Sequence, residues 1–523
     1  MNEEVKNLSE KYKELLFIKG FLVTDDPNIN LLEFPFNGNF NKTDLLGGYK
    51  IYAHKKTGVH VYKNADKAFF ILGHAYAPLL NEEKESEILK ILSEKYGTEE
   101  FRNTVDALTG IFVLGVIDGQ KIYAETDAAG IQSACLGKIG DYFYLTSHAQ
   151  MVGDILNLEM TDFVKKLIDY KWYMRKHGPF LPADLTPFNE LKRVIPNNLY
   201  TYDGEKITHK RFYPYKDLSV VKTEEEYNAV IAEMAELLKK GLPLALKKWK
   251  TPYISLTGGI DSNTTFAAAN GHYDKLKTFS YISAEKEIRD SDAADIISKR
   301  FNVEHEIYNI PSDEKEIPDF DEIKNILEHN NGYITKISGN EVRKRAYLIQ
   351  NFKGDVEIKS WVSESIRAYE YKYLGRKKLP KLSPKLYTNL YKVFLVNRSL
   401  YHKVKKIFKK YLNDFEYYSI PKIYDISDVY ATEMMWGSWG SLNISEMKSY
   451  ADITILYNNR KFLELCNRIP LEKRIDDTLH LDMKKYLNRE LYDMGIRVVN
   501  MMETKKRAML LNIIFTINML LPF

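Results

Sequence analysis

The chain has 523 residues, too many for one ordinary hydrophobic core, so two or more domains are expected. Its 75 Lys and Arg nearly balance 71 Asp and Glu, and a net charge of +4 argues against wholesale nucleic-acid binding. The two cysteines, Cys135 and Cys466, stand far apart and outside any metal spacing, which excludes a cysteine-based zinc site and fits a reducing cytoplasm.

The first residues, 1–17, are charged throughout and show no apolar core of a signal peptide. Residues 1–35 are expected to form a helical extension. Residues 36–218 carry short apolar runs separated by turn residues. Those at 68–73 and 110–116 are rich in β-branched and aromatic residues, are bounded by glycines and read as buried strands. Asp118-Gly119 predicts a hairpin into 121–124, and 139–145 repeats the pattern. One helix is predicted near 84–96. This half reads as packed antiparallel sheets with some helices.

From about residue 225 the texture changes. A helix over 223–248 leads to a strand at 253–256, then a glycine turn and a helix. A strand at 278–282, a helix over 290–301 and a strand at 305–308 follow. Such alternation predicts a parallel, doubly wound sheet. Residues 385–500 read as mostly helical. Within them, the basic run 402–410 is expected to be a solvated helix face, with a docking site for an acidic partner as the alternative. The tail 508–523 is apolar behind Lys505-Lys506-Arg507 but short for a spanning helix. It is expected to dock on the core, with a membrane-surface anchor as the alternative. No transmembrane segment is expected.

The strongest signal is Ser255-Leu256-Thr257-Gly258-Gly259-Ile260-Asp261-Ser262. It ends a strand and opens a helix, where ligands of such sheets bind. Adjacent glycines let backbone amides approach a polyphosphate, and the Thr257 and Ser262 hydroxyls can donate to its oxygens. The loop lacks a Walker lysine and carries Asp261 at the helix entry instead. A carboxylate facing phosphates implies a metal between them, and Mg²⁺ is the natural choice. Pyrophosphate with Mg²⁺ as the leaving group means attack at the α-phosphorus of ATP, giving an adenylate.

This segment resembles the pyrophosphate loop of the N-type ATP pyrophosphatases and, more narrowly, of the asparagine synthetase superfamily. Residues 290–305, 360–367, 458–470 and 482–487 resemble further stretches of that family. Residues 108–151 resemble its glutaminase-type domain. The resemblance implies an α/β protein. An N-terminal Ntn-hydrolase-like αββα sandwich (36–218) would precede a doubly wound ATP pyrophosphatase domain with a helical extension (219–505) and the tail (506–523). It implies ATP held by Ser255, Leu256, Thr257, Gly258, Gly259, Asp261 and Ser262, with adenine near Ile282 and Ser283. Asp261 and Glu364 would hold Mg²⁺. Lys484 would offset charge at the reacting centre. Asp290 and Asp292 stand open between a helix cap and the site. Arg460 and Arg474 are candidates to receive a substrate carboxylate.

The sequence departs from the family in two places. Asn2 stands where the family exposes its cysteine nucleophile, and an amide cannot replace a thiolate, so no glutaminase activity is expected. The second loop, 360–365, carries Trp361 and Val362 in place of glycines and an acid. Family branches without the cysteine include β-lactam synthetases and lasso-peptide cyclases, which use an amine already on the substrate. The expected protein is a cytoplasmic, AMP-forming carbon–nitrogen ligase joining a small-molecule or peptide carboxylic acid to an amine. Alternatives are an asparagine synthetase-like enzyme fed with ammonia and a catalytically silent nucleotide-binding protein. A homodimer is left open.

Overall fold

The computed structural model describes residues 10–33, 36, 38–214, 218–335, 340–394, 397–498 and 505–520; Asn2 lies outside them. In chain order the strands are β1 (Phe21–Thr24), β2 (Phe40–Asp44), β3 (Lys50–His54), β4 (Val59–Asn64), β5 (Lys67–Tyr76), β6 (Thr109–Asp118), β7 (Lys121–Thr126), β8 (Cys135–Ile139), β9 (Tyr142–Thr146), β10 (Lys192–Arg193), β11 (Asn198–Tyr202), β12 (Ile207–Arg211), β13 (Pro252–Ser255), β14 (Lys277–Ile282), β15 (His305–Asn309), β16 (Val356–Ile358) and β17 (Asp452–Thr454). The helices used below are α1 (Glu85–Lys95), α2 (Glu99–Asp106), α3 (Glu224–Lys248), α4 (Ile260–Ala268), α5 (Ile288–Arg300), α6 (Pro384–Tyr391), α7 (Arg398–Asp414), α8 (Thr478–Leu487) and α9 (Lys505–Leu520).

The first twelve strands make two antiparallel six-stranded sheets, ordered β10-β8-β9-β1-β3-β2 and β12-β11-β7-β6-β5-β4. Alternation along β5 and β6 explains their layering. Phe70, Leu72, Val113 and Ile117 face the other sheet and pack with Phe21, Ile51 and Leu145. Their neighbours Phe69, Ile71, Phe112 and Leu114 pack outward on Ile88, Leu89, Leu92 and Val105 of α1 and α2. On the far side, Leu22, Tyr52 and Tyr144 pack against Met151, Val152, Ile326 and Leu327 from helices. Helix, sheet, sheet and helix therefore stack in four layers. Phe21–Thr24 corrects one expectation: it is no helical extension but a strand inside the first sheet, paired with β3 and β9. All four of its residues are buried, which suits a short β-branched and aromatic run.

The third sheet is parallel throughout, in the order β15-β14-β13-β16-β17. From β13 the chain runs outward to β14 and β15, then returns to lay β16 on the other side of β13. The loops after β13 and β16 thus leave the sheet side by side at a topological switch point. α3 enters this unit through a capping box between Thr223 and Glu226.

A seam of buried polar residues ties the parallel sheet to the sandwich. Asn458 Nδ2 donates to the Gly110 carbonyl at 2.7 Å, and Asn459 Nδ2 to Ala107 at 2.8 Å. Arg460 donates to Asn197 Oδ1 at 2.9 Å and to the Thr126 carbonyl at 2.7 Å. Arg460 is therefore a buried tie, not a receiver of substrate. Arg474 is likewise buried and ion-paired with Asp428. The basic run 402–410 lies on α7, which buries Leu400, Val404 and Phe408 and turns most of its lysines to solvent.

Candidate active site

A cleft of about 470 Å³ opens at the carboxyl ends of β13, β14 and β16. Its floor is the loop 256–259. Side chains close that loop on itself: Thr257 Oγ1 lies 2.9 Å from Ser262 Oγ, and the Gly259 amide donates to Thr257 Oγ1 at 3.1 Å. Asn263 Nδ2 donates to the carbonyls of Thr257 and Gly259 at 2.9 and 2.6 Å. Gly258 must be glycine, since a Cβ there would lie 2.2 Å from Val498 Cγ2. Its amide donates to Asp290 Oδ1 at 3.2 Å. Asp290 is thus neither a helix cap nor remote: its carboxylate sits at the loop amide, where an anion is expected. Asp292 is exposed and does not line the cleft.

Asp261 and Glu364 both line the cleft, 261 opening α4 and 364 on a single 3₁₀ turn, Ser363–Arg367. Val362 enters that turn at φ +73°, a conformation that costs a β-branched residue of order 1–3 kcal/mol. Asp261 accepts from Ser363 Oγ at 2.7 Å and from Arg367 Nη1 at 2.6 Å. Glu364 is half-buried, and its Oε2 is buried with no hydrogen-bond partner. Burial first, and the charge of Asp261 second, push its carboxyl well above the ordinary range. A buried, orphaned carboxylate beside a second one is a poor arrangement by itself and a suitable one for a divalent cation. Among the described residues no three His, Cys, Asp or Glu side chains cluster for a metal, so two protein carboxylates would leave the other positions to phosphate oxygens and water.

The facing wall is cationic. Asp477 accepts from Arg367 at 2.8 and 3.1 Å, from Arg497 at 2.7 Å and from Lys372. Burial works to raise the Asp477 carboxyl, but Arg367 and Lys372 hold it well below the carboxylate range. Arg367, Lys372 and Arg497 all line the cleft, as does Lys359, whose Nζ lies 2.8 Å from Glu357 Oε1 and 4.9 Å above the Trp361 ring. His480, buried 3.4 Å from Asp261, is lowered to about 4 by burial and is neutral at pH 7.

Other expectations shift. Ser255, Leu256, Thr257, Gly259, Asp261 and Ser262 line the cleft, but Gly258, packed under Val498, and Ile282 do not; Ser280 and Tyr281 of β14 do. Lys484 stands one turn beyond His480 on α8 and is not in the lining. It is buried, its ammonium is lowered to about 8 by that burial, and it has no ion-pair partner among the described residues. Asp477 and Arg497 went unnoticed in the sequence because neither lies in a recognisable motif.

Residues 235–337 match the asparagine synthase family model. That span contains the loop, α4, β14, α5 and β15. The chain carries an asparagine synthase domain. The match supports the asparagine synthetase superfamily and an ATP-dependent, amidotransferase-like ligase in general terms. No curated protein matches the chain. One similar solved structure is the allosteric regulatory enzyme of purine biosynthesis, at 9% identity over 59% of this chain and 78% of that one, with a TM-score of 0.25. Another is a glutamine phosphoribosylpyrophosphate amidotransferase from B. subtilis complexed with ADP and GMP, at 8% identity over 56% of this chain and 61% of that one, with a TM-score of 0.23. No helix among the described residues is long and apolar enough to cross a membrane.

Proposed function

We propose that this chain activates a carboxylic acid as its adenylate, releasing pyrophosphate from ATP, and transfers the acyl group to an amine. The observation that carries this reading is the pairing of the loop bearing Thr257, Gly259 and Ser262 with Asp261 and Glu364 across the switch point. Asp261 and Glu364 would hold Mg²⁺, which supplies neutralisation of the pyrophosphate leaving group. The loop amides and the Thr257 and Ser262 hydroxyls bind the phosphates. Arg367, Lys372 and Arg497 spread positive charge along the facing wall, and Arg367 and Lys372 take the role first assigned to Lys484. Adenylation makes the carboxyl electrophilic, and a co-bound amine gains the proximity term. In this reading residues 21–218, with β1 included, form the sandwich domain and 219–505 the synthetase domain.

The same reading includes no glutaminase activity. Both thiols of the chain are unfit as nucleophiles: burial pushes Cys135 and Cys466 up to about 12. A second reading rests on the Arg367–Asp261 ion pair. If the guanidinium keeps the metal-facing carboxylate, the protein binds ATP and never yields AMP. Purified protein incubated with α-labelled ATP, Mg²⁺, a pool of acids and hydroxylamine separates the two. AMP, pyrophosphate and a hydroxamate are expected; ADP, or ATP binding without turnover, rejects adenylation. Ammonium or glutamine in place of hydroxylamine tests the nitrogen source. Lys372→Met is expected to cut AMP formation roughly a hundredfold and Lys484→Met less than about threefold, measured as kcat on the same assay.

A further inference from the structure

The tail helix α9 docks by one face only. Phe515 is 3% exposed beneath the Arg376 guanidinium, which donates to Asn512 Oδ1 at 2.7 Å and to Thr516 Oγ1 at 2.9 Å. Asn389 of α6 reaches the Met519 sulfur. The opposite face is apolar and open: Met509, Leu510, Ile513, Ile517 and Leu520 are 45% to 78% exposed. Spacings of three and four residues align 510, 513, 517 and 520 in one stripe along a helix of about 24 Å. A protein otherwise able to bury its large aliphatic residues does not leave such a stripe bare without use.

Charge identifies what covers it. The segment 371–413, on which α9 packs, holds thirteen Lys and Arg and no Asp or Glu, and 505–520 adds three more and no acid. The chain as a whole is nearly balanced, so its basic residues are gathered on this side. Lys377, Lys378 and Lys381 are exposed on the loop between the helix Tyr369–Leu374 and α6, the two elements that carry α9. α7 packs on the other flank of α6 and exposes Lys403, Lys406 and Lys409. A second copy of this face would bring like charges together. Nucleic acid would match the lysines and waste the aliphatic stripe. An acyl-chain boundary beneath anionic headgroups matches both.

We propose that α9 and the loop 376–382 dock this protein on the surface of an anionic lipid bilayer, with the aliphatic stripe in the acyl boundary and the lysines at the headgroups. The docking is peripheral, since α9 is too short to span. The cleft lies at the edge of this face. Lys372 and Tyr373 line it while Gly375 and Arg376 touch α9, and the Arg507 guanidinium sits 5.4 Å over the Tyr373 ring. The proposal stands whether or not the adenylation reading does.

The test is co-sedimentation of the full chain with vesicles of zwitterionic phosphatidylcholine, and of phosphatidylcholine with about one third phosphatidylglycerol. At least roughly tenfold more protein should sediment with the anionic vesicles, and added salt should release it. Two variants, Leu510→Asp with Ile517→Asp, and Lys377→Glu with Lys378→Glu and Lys381→Glu, should each lose most of that binding at an unchanged melting temperature. Both alter exposed side chains, so folding is preserved. Equal recovery with both vesicle types, no recovery with either, or binding untouched by both variants overturns the proposal. So does a dimer or a nucleic-acid complex that forms with the native chain and is lost in the Leu510→Asp, Ile517→Asp variant while vesicle binding is absent.

Discussion

Asp261→Asn should lower AMP formation by at least about a thousandfold, because it removes one of the two carboxylates proposed to hold Mg²⁺. The substitution keeps the volume and one oxygen for the 2.7 Å bond from Ser363. It loses the charge that a Mg²⁺–pyrophosphate group needs and the ion pair with Arg367. Two losses predict two readouts. Turnover should collapse, whereas ATP binding without Mg²⁺ should persist, since the loop amides and hydroxyls remain. The melting temperature should change little, because Asn keeps the bond from Ser363 and Arg367 retains its pair with Asp477. AMP produced at the native rate would remove the metal role from Asp261 and with it the proposed chemistry.

The second large effect is on stability. Asp477→Ala should cost about 3–5 kcal/mol, the usual penalty for removing one partner of a buried ion pair. Arg367 and Lys372 are held by the Asp477 carboxylate, and Arg497 leans on it from a more open position. Deleting the carboxylate leaves two poorly solvated cations beside each other. Arg497→Ala, at the exposed end of the cluster, should cost less than about 1 kcal/mol. The sign with pH follows from the depressed carboxyl. Asp477 contributes stability that is fully present above its unfolded-state value of about 3.9 and is lost as pH falls through its lower folded-state value. The native protein should therefore retain this contribution at pH 5 and begin to lose it only below about pH 4, while Asp477→Asn should lack it throughout. Urea midpoints at pH 7 and at about pH 2.5 for both proteins read this directly. A native acid limb no steeper than that of the variant would show that Asp477 is not the group responsible.

The elements visible in the sequence were those that carry their own boundaries. β5 and β6 are ten-residue apolar runs edged by charged or glycine-rich turns, and α3 opens on Thr223 with Glu226 three residues on. The loop 255–262 was legible because its chemistry lies in eight consecutive residues. β1, β16 and β17 were not, since strands of three or four residues give no period to count and depend on partners far along the chain. The cationic wall was hidden for a similar reason: Arg367, Asp477 and Arg497 lie up to 130 positions apart and meet only after the sheet has formed. Lys484 shows the reverse error. A lysine beside a familiar pattern was assigned to the site, whereas helical phase leaves its neighbour His480 nearer Asp261. Arg460 and Arg474 stand as candidates for a substrate carboxylate in the sequence because a lone arginine there cannot show that it is already buried and paired.

The seam of Asn458, Asn459 and Arg460 bears on why the two halves remain together. Carbonyls of Ala107, Gly110 and Thr126 in the sandwich are met by side chains from one short stretch beside the synthetase cleft. Shedding the sandwich would strand those donors, and shedding the stretch would strand the carbonyls. The sandwich thus serves as a mould for the residues after β17, whatever chemistry it performs itself. A gene encoding only residues 219–505 would be expected to yield aggregate, and the N-terminal half is kept by the same hydrogen bonds that fix the stretch after β17.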